Sequence, residues 1–529
     1  MDDGGACLYW FGLRHVGPGE DGPVVRWSRS TEATDRSARS NHRSNWLAGP
    51  ETGIDKWIHR TRLAMSDTAD ATDADPDPLD PVRQFLALER DVLVLSLAMF
   101  AFSLGFQMTS RYMAEYMVAL GAGGIAVGLF GTVGNVVSAV YPYPGGAISD
   151  RIGSRYALTA FGAISTAGFA IWFVAPALAD VTIGPTSLAI VALFVGLLFS
   201  QAWKSFGLGA TFAIVKQAVP PSRLAAGFAS TETFRRTAFL VGPLLAAVVF
   251  LAFGGPTAEA LSAASVVTAF QWILAIAIGF GILGTVAQHV LYDASEDSLG
   301  SEFAGVAQIR EDLGSLPAPL KPLLVGDALV RFANGMVYVF FVLVVTRELG
   351  VGLTLPVSLP VLGDALSPQA FFGLLLALEM LVALLVMIPA SKLAERVGLK
   401  PVVALGFAVY AVFPIALISA PANAAVVAAL FAFSGLRFAG LPAHKALIVG
   451  PADRDAGGRV TGSYYLVRNV LVIPSAALGG VLWSGLSNPL SGATIVEGSP
   501  TLAFVLATVI GLVGTAYFLV FGQEFEAYA

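Results

Sequence analysis

The chain has 529 residues, 56% of them hydrophobic and only 13% charged. Soluble domains carry about 25% charged residues, so a purely water-soluble globule is excluded. The net charge of −6 offers no footprint for nucleic acid, and the single cysteine, Cys7, excludes an intrachain disulfide framework or a cysteine-based metal site.

Residues 1–64 show neither helical nor strand period and no apolar core long enough for a signal peptide. Two readings stand side by side: a disordered tail, or an over-extended reading frame whose biological start is Met65. Residues 1–91 as a whole read as a disordered cytoplasmic region. Its acidic stretch MSDTADATDADPDPLD (65–80) and the scarcity of lysine would suit a salt-loving source.

From residue 92 onward, apolar runs of about 20 residues, each long enough to cross a hydrocarbon core of about 30 Å, follow one another. Hydropathy places twelve spans near 92–117, 124–145, 156–176, 186–215, 226–253, 264–291, 322–346, 369–390, 400–421, 423–449, 460–484 and 500–522. The expected fold class is an all-α polytopic membrane protein, with residues 92–292 and 322–522 as two pseudo-symmetric six-helix bundles. The polar, acidic stretch 293–321 reads as a cytoplasmic linker between them, and 523–529 as a cytoplasmic tail.

Basic residues set the orientation. Arg83 and Arg90 precede the first span, and Arg151, Arg155, Arg223, Lys392, Arg396, Lys400, Arg454 and Arg459 fall in loops of one side. The other side is nearly free of Lys and Arg, with Arg347 the main exception. The positive-inside rule therefore places both termini in the cytoplasm of a plasma-membrane protein.

A charged phrase, GGAISDRIGSR (145–155), lies between spans two and three, and a looser copy, ASKLAERVGLK (390–400), lies 245 positions later between spans eight and nine. The shift lays Gly128 on Gly373, Pro144 on Pro389, Asp150 on Glu395, Arg151 on Arg396 and Gly153 on Gly398. Weaker echoes set Lys204, Gly207 and Leu208 against Arg437, Gly440 and Leu441, and Arg236 against Arg468. Repeated halves are a building principle of secondary transporters.

These residues resemble the major facilitator superfamily over about 92–522. Gly146, Ile148, Asp150, Arg151, Gly153 and Arg155 fit its loop signature, with Ser154 in place of a frequent basic residue. The copy departs further, with Ser391 for glycine and Glu395 for aspartate. WKSFGLGA (203–210) resembles a fourth-span motif with lysine for the usual arginine. Gly242 and Pro243 look like the helix-bending core of a motif common in the family's exporters. The resemblance implies alternating access, with Gly146, Asp150, Arg151, Gly153, Arg155, Glu395, Arg396 and Gly398 gating the cytoplasmic side. It also implies a cavity lined by spans one, four, seven and ten.

Ionisable side chains within spans are costly and face cavities or one another. Arg111 with Glu115, Glu232 with Arg236 and Asp327 with Arg331 are spaced i,i+4, as self-neutralising pairs or as site residues. Gln107, Arg111, Lys204, Arg331, Asn334 and Arg437 are the substrate-cavity candidates. Glu232, Arg235, Arg236 and Arg468 are candidates for a cytoplasmic charge network around Asp150 and Glu395, although Arg236 and Arg468 read equally well as cavity residues. Glu379, about mid-membrane, is the candidate proton carrier, unless pairing with Arg437 or Arg468 keeps it charged. His444 reads as interfacial.

The expected function is secondary transport of a small solute, proton-coupled, by a monomer in the lipid bilayer, with export slightly ahead of uptake of an organic anion. No phosphate-binding loop, cofactor or metal site is expected, and no enzyme activity. A membrane-embedded enzyme or a transport-inactive sensor are the readings of another class.

Overall fold

Most helices that begin on the side lacking basic loops carry their own cap. Ser187, Ser262, Ser367, Asn423 and Ser499 each accept a backbone N–H from the first turn of the helix that follows. Such caps satisfy donors that a helix cannot satisfy internally. Pro368 and Pro500 follow two of them at the first helical position, where the missing N–H costs nothing. The computed structural model describes residues 90–141, 148–149, 151–205, 224–254, 258–293, 316–359, 363–450, 457–487 and 493–524. The expected disordered region 1–89, most of the linker, and residues Gly146, Asp150, 206–223 and 525–529 lie outside them.

The helices in chain order are α1 (Arg90–Ser110), α2 (Met113–Ala119), α3 (Gly124–Val140), α4 (Ser154–Val174), α5 (Leu188–Ser200), α6 (Leu224–Gly254) and α7 (Ala263–Leu291). After residue 315 come α8 (Leu320–Val337), α9 (Pro368–Val397), α10 (Leu399–Ile418), α11 (Ala424–Gly435), α12 (Leu441–Val449), α13 (Gly457–Val472), α14 (Ser475–Ser484) and α15 (Pro500–Phe521). Among the described residues eleven helical segments are long and apolar enough to cross a membrane. Where the second of twelve spans is expected, α3 is a shorter apolar helix of 17 residues.

The chain is not wholly helical. Three two-stranded antiparallel ribbons, Thr182–Ile183 with Thr186–Ser187, Leu353–Leu359 with Gly363–Leu366, and Leu486–Ser487 with Thr494–Val496, close connections on one side. That side is called the ribbon face, and the opposite one, carrying Arg151, Lys392 and Arg396, the basic face. The basic-face turns are glycine turns: Gly153 (φ 85°) precedes α4 and Gly398 (φ 92°) precedes α10. A residue with a Cβ is strained in that region.

Helices before residue 294 pack chiefly on one another (α1 with α6 and α7, α4 with α5 and α7), as do those after residue 315 (α8 and α10 with α15, α9 with α11). Two seams join the sets, α6 against α9 and α3 against α14. Small residues line both. A Cβ on Gly128 would meet the Ala476 carbonyl oxygen, and one on Gly373 would lie 2.6 Å from the Pro243 carbonyl. Gly128→Leu is therefore expected to force α3 from α14 and destabilise by about 1–3 kcal/mol, seen as a lower midpoint in thermal unfolding of the purified protein.

One apolar cluster, including Tyr112, Phe250, Phe270, Phe340, Phe372 and Phe431, spans both sets. Its residues include both ends of the ribbon-face loops. A second, around Leu323, Val403, Phe407, Tyr464 and Phe518, belongs to the later helices alone.

Candidate functional site

Four spans are interrupted, and three of the interruptions carry an arginine. Arg111 and Tyr112 sit at the break between α1 and α2. After α8 the chain passes through a 3₁₀ turn (Tyr338–Phe340) and then a π-helical turn, Val344–Glu348, which holds Arg347. Arg437 lies in the 3₁₀ turn Leu436–Phe438 between α11 and α12. Pro474 separates α13 from α14, since it lacks the N–H that would continue the ladder. Local departures of this kind are frequent at functional sites.

At the ribbon face the wide π turn brings two consecutive side chains onto one acceptor. The buried carboxylate of Glu115 accepts from Thr346 Oγ1 (2.9 Å), Arg347 Nε (3.1 Å) and Nη2 (3.3 Å), and Gln369 Nε2 (3.2 Å). Gln369 in turn accepts from the Leu261 N–H at its side-chain oxygen (3.2 Å) and from the Tyr112 hydroxyl at its carbonyl (3.0 Å). This clasp joins the first span, the α6–α7 connection, the end of the seventh span and the start of α9. The sequence pairs Glu115 with Arg111 at i,i+4; the structure gives it to Arg347, 232 positions away. Arg111 instead lies 4.5 Å from the Tyr338 ring centroid.

In the interior of the later helices, Arg437 Nη2 is 3.0 Å from Glu379 Oε1, with both side chains 5% exposed or less. The Ser434 hydroxyl donates to the same oxygen. The carboxylate offered as a proton carrier is thus ion-paired. Arg437 also stands 5.0 Å from the Tyr410 ring, and Arg331 the same distance from that ring.

Nearer the basic face, Asp327 is fully buried. Its carboxylate accepts from Arg331 Nε (3.3 Å), Arg468 Nη1 (3.4 Å) and the Tyr464 hydroxyl (3.1 Å), and lies 3.3 Å from His444 Nε2. The i,i+4 pair with Arg331 is present, as the edge of a larger cluster. One reading is corrected here: His444 is buried (4% exposed) where an interfacial residue is expected. Arg468 reaches Asp327. Both placements arise because α12 and α13 turn these side chains inward onto α8.

Of the other candidates, Gln107 and Asn334 are buried. Lys204 lies 4.9 Å from the Phe106 ring and Arg235 5.5 Å from that of Phe239. Arg236 is half-buried, and Pro243 lies inside α6. A Cβ on Gly242 would meet the Gln107 Cβ at 2.8 Å, so this glycine permits the approach of α6 to α1. The side chains of Glu232 and Glu395 are outside the described residues, as are Gly146 and Asp150. Sequence reasoning missed Thr346, Gln369 and Tyr464, and also Asn135 and Tyr338, whose buried Nδ2 and hydroxyl have no hydrogen-bond partner among the described residues.

Among the described residues, two bonding sets at the loop phrases lie within one half each. Arg155 Nε donates to the His289 carbonyl at the end of α7 (2.7 Å), and Arg151 and Arg396 are exposed. In the second copy, Glu524 accepts the N–H groups of Leu399 (3.0 Å) and Lys400 (2.9 Å), a carboxylate at a helix N-terminus. Glu524→Gln is expected to cost about 0.5–2 kcal/mol of local stability, measured as faster hydrogen exchange at the amides of Leu399 and Lys400.

No family model matches the chain. An uncharacterized MFS-type transporter of Mycobacterium tuberculosis is 30% identical over 166 residues; the match spans 31% of this chain and only 36% of that relative. An uncharacterized MFS-type transporter of Methanocaldococcus jannaschii is 19% identical over 438 residues, 80% of this chain and 93% of the relative. Among solved structures, the nucleoside transporter NupG superposes with a TM-score of 0.61 at 11% identity, covering 82% of this chain and all of that one. A POT family transporter in complex with a thioalcohol-conjugated peptide gives 0.60 at 14%, covering 83% and 99%. The helices make the chain a multi-pass membrane protein, its fold is shared with these solved transporters, and its sequence is similar to the MFS-type relatives.

Proposed function

We propose that the chain is a secondary transporter of a small solute, working by alternating access of the halves 92–292 and 322–522. The observation that carries this reading is the tie between the two halves at the ribbon face. The clasp on Glu115 and the large aromatic cluster tie both halves at the ribbon face. At the basic face the described loop residues bond within their own half. In this reading the basic face is cytoplasmic, the membrane is the plasma membrane, both termini are cytoplasmic, and this structure is the state closed to the outside. The loop phrases around Asp150 and Glu395 would then engage the opposite half only when the cytoplasmic side shuts.

Export is the direction we favour, because Gly242 and Pro243 stand where a helix of an exporter bends. A proton is the coupling ion we favour. Uptake of an organic anion is the second reading. Arg111 on span one and Lys204 on span four favour it, since they lie over the rings of Tyr338 and Phe106, where a solute's negative charge would meet them. Asn135 and Tyr338 add polar groups with unused hydrogen-bonding capacity.

The test is reconstitution in proteoliposomes, after a thermal-shift screen of small solutes has supplied one that stabilises the purified protein. Saturable counterflow of that solute is expected. Stabilisation without flux under any imposed gradient would instead favour a sensor. Accumulation under an inward proton gradient supports uptake, and extrusion under the same gradient supports export.

A further inference from the structure

His444 differs from every other member of its cluster in the kind of charge it can carry. Its Nε2 lies 3.3 Å from Asp327 Oδ2 and 3.4 Å from the Tyr464 hydroxyl, and the Phe407 ring stands 5.8 Å from its own. From α8, Asp327 and Arg331 face it. Tyr464 and Arg468 face it from α13, with Tyr465 stacked beneath Arg468 at 4.6 Å. On α10, Tyr410 accepts from Arg331 Nη1 (3.3 Å). Lys445 is its neighbour on α12, and on α9 Glu379 is committed to Arg437.

Asp327 already has two guanidinium groups on it, so the imidazole is not needed to balance its charge. Guanidinium groups stay charged at any pH the cell reaches, and phenols stay neutral there. The imidazole is the group in this set whose charge ordinarily changes between about pH 5 and 8. Nε2–H can donate to Asp327 in the neutral and in the charged ring alike, which leaves Nδ1 as the atom that gains and loses a proton. Depth fits exchange with water. His444 lies four residues before Ile448, where its span ends, and Asp327 seven after Leu320, where α8 begins. At 1.5 Å per residue that is about 6–10 Å from the basic face.

We propose that His444 is a proton-binding site, oriented by Asp327, and that its occupancy is linked to the arrangement of α8, α12 and α13. The proposal rests on the transporter reading and moves the proton from Glu379 to this cluster. A proton from the basic-face solvent adds to Nδ1, and a third cation then stands at Asp327 beside Arg331 and Arg468. That added positive charge favours an arrangement in which water reaches the cluster, while loss of the proton favours the packed one.

The first experiment is a ring-nitrogen NMR titration of the full chain, labelled with ¹⁵N-histidine in lipid nanodiscs, from pH 5 to 9. The His444 signal is identified by its loss in His444→Gln. The expected result is a change of protonation state within that range in the wild-type protein, lost from the range in Asp327→Asn. A His444 ring that keeps one state throughout, or that titrates identically in Asp327→Asn, overturns the proposal.

The second experiment measures the distance between spin labels at the exposed Ile152 and Val397, one on each basic-face loop, in a Cys7→Ser background. A pH-dependent distance in the wild-type residue set, absent in His444→Gln, is expected. An equal pH response in His444→Gln overturns the linkage. Labels that never move at any pH, beside a titrating ring, overturn the linkage and count against alternating access, while proton binding itself stands.

Discussion

Arg437→Met is expected to be among the most destabilising single substitutions in the later helices, at about 3–5 kcal/mol. The guanidinium and the Glu379 carboxylate are 3.0 Å apart and both are almost fully buried, so removing the cation strands an anion in an apolar interior. Ser434 remains as a donor, but one neutral hydroxyl does not replace a charge. The double variant Arg437→Met, Glu379→Gln removes both charges and is expected to recover most of the loss, because replacing a whole buried pair is far less costly than breaking it. Denaturant or thermal unfolding of the four proteins of the cycle measures the coupling. Additive losses, with the double variant as destabilised as the two single variants together, would mean that the pair contributes nothing.

The second large effect is conformational. Glu115→Gln keeps the shape of the side chain but removes the charge on which Thr346, Arg347 and Gln369 converge. Hydrogen bonds to a charged acceptor contribute about 1.5–3 kcal/mol each. Arg347 is 41% exposed, so its share is discounted for solvent screening. A net loss of about 2–4 kcal/mol is expected to move the balance between ribbon-face-closed and ribbon-face-open forms by about 30- to 1000-fold. Labels at Ile183 and Ile495, exposed on ribbons from opposite halves, would report the shift as a longer distance. Arg347→Gln should move it in the same direction by less, since Thr346 and Gln369 still hold the carboxylate. An unchanged distance in both variants would reduce the clasp to a packing detail.

The helical architecture was legible because hydropathy over twenty residues is a strong signal and because the chain wrote one loop phrase twice. Gly153 and Gly398, aligned by the 245-residue shift, do occupy matching positive-φ turns. The ribbons were not legible, since strands of two or three residues leave no period. Nor were the partners of Glu115, because a π turn 230 positions away has no local sequence signature. Arg347, the main basic exception on the ribbon face, was the one available hint. Spacing did find Asp327 with Arg331. It could not bring in Arg468 or His444, which reach Asp327 only through the packing of three helices.

The five Ser and Asn caps bear on biogenesis. A helix whose first residues emerge on the far side of the membrane has unsatisfied N–H groups there before its neighbours have arrived, and hydrocarbon tolerates such groups poorly. A cap written into the residue just before the helix satisfies some of them at once, without waiting for assembly. The glycine turn before α10 is different: its donors are met by Glu524, about 125 positions later and beyond α15. Insertion of each helix that begins at the ribbon face can therefore be completed locally, whereas the turn before α10 is finished only once α15 has been made.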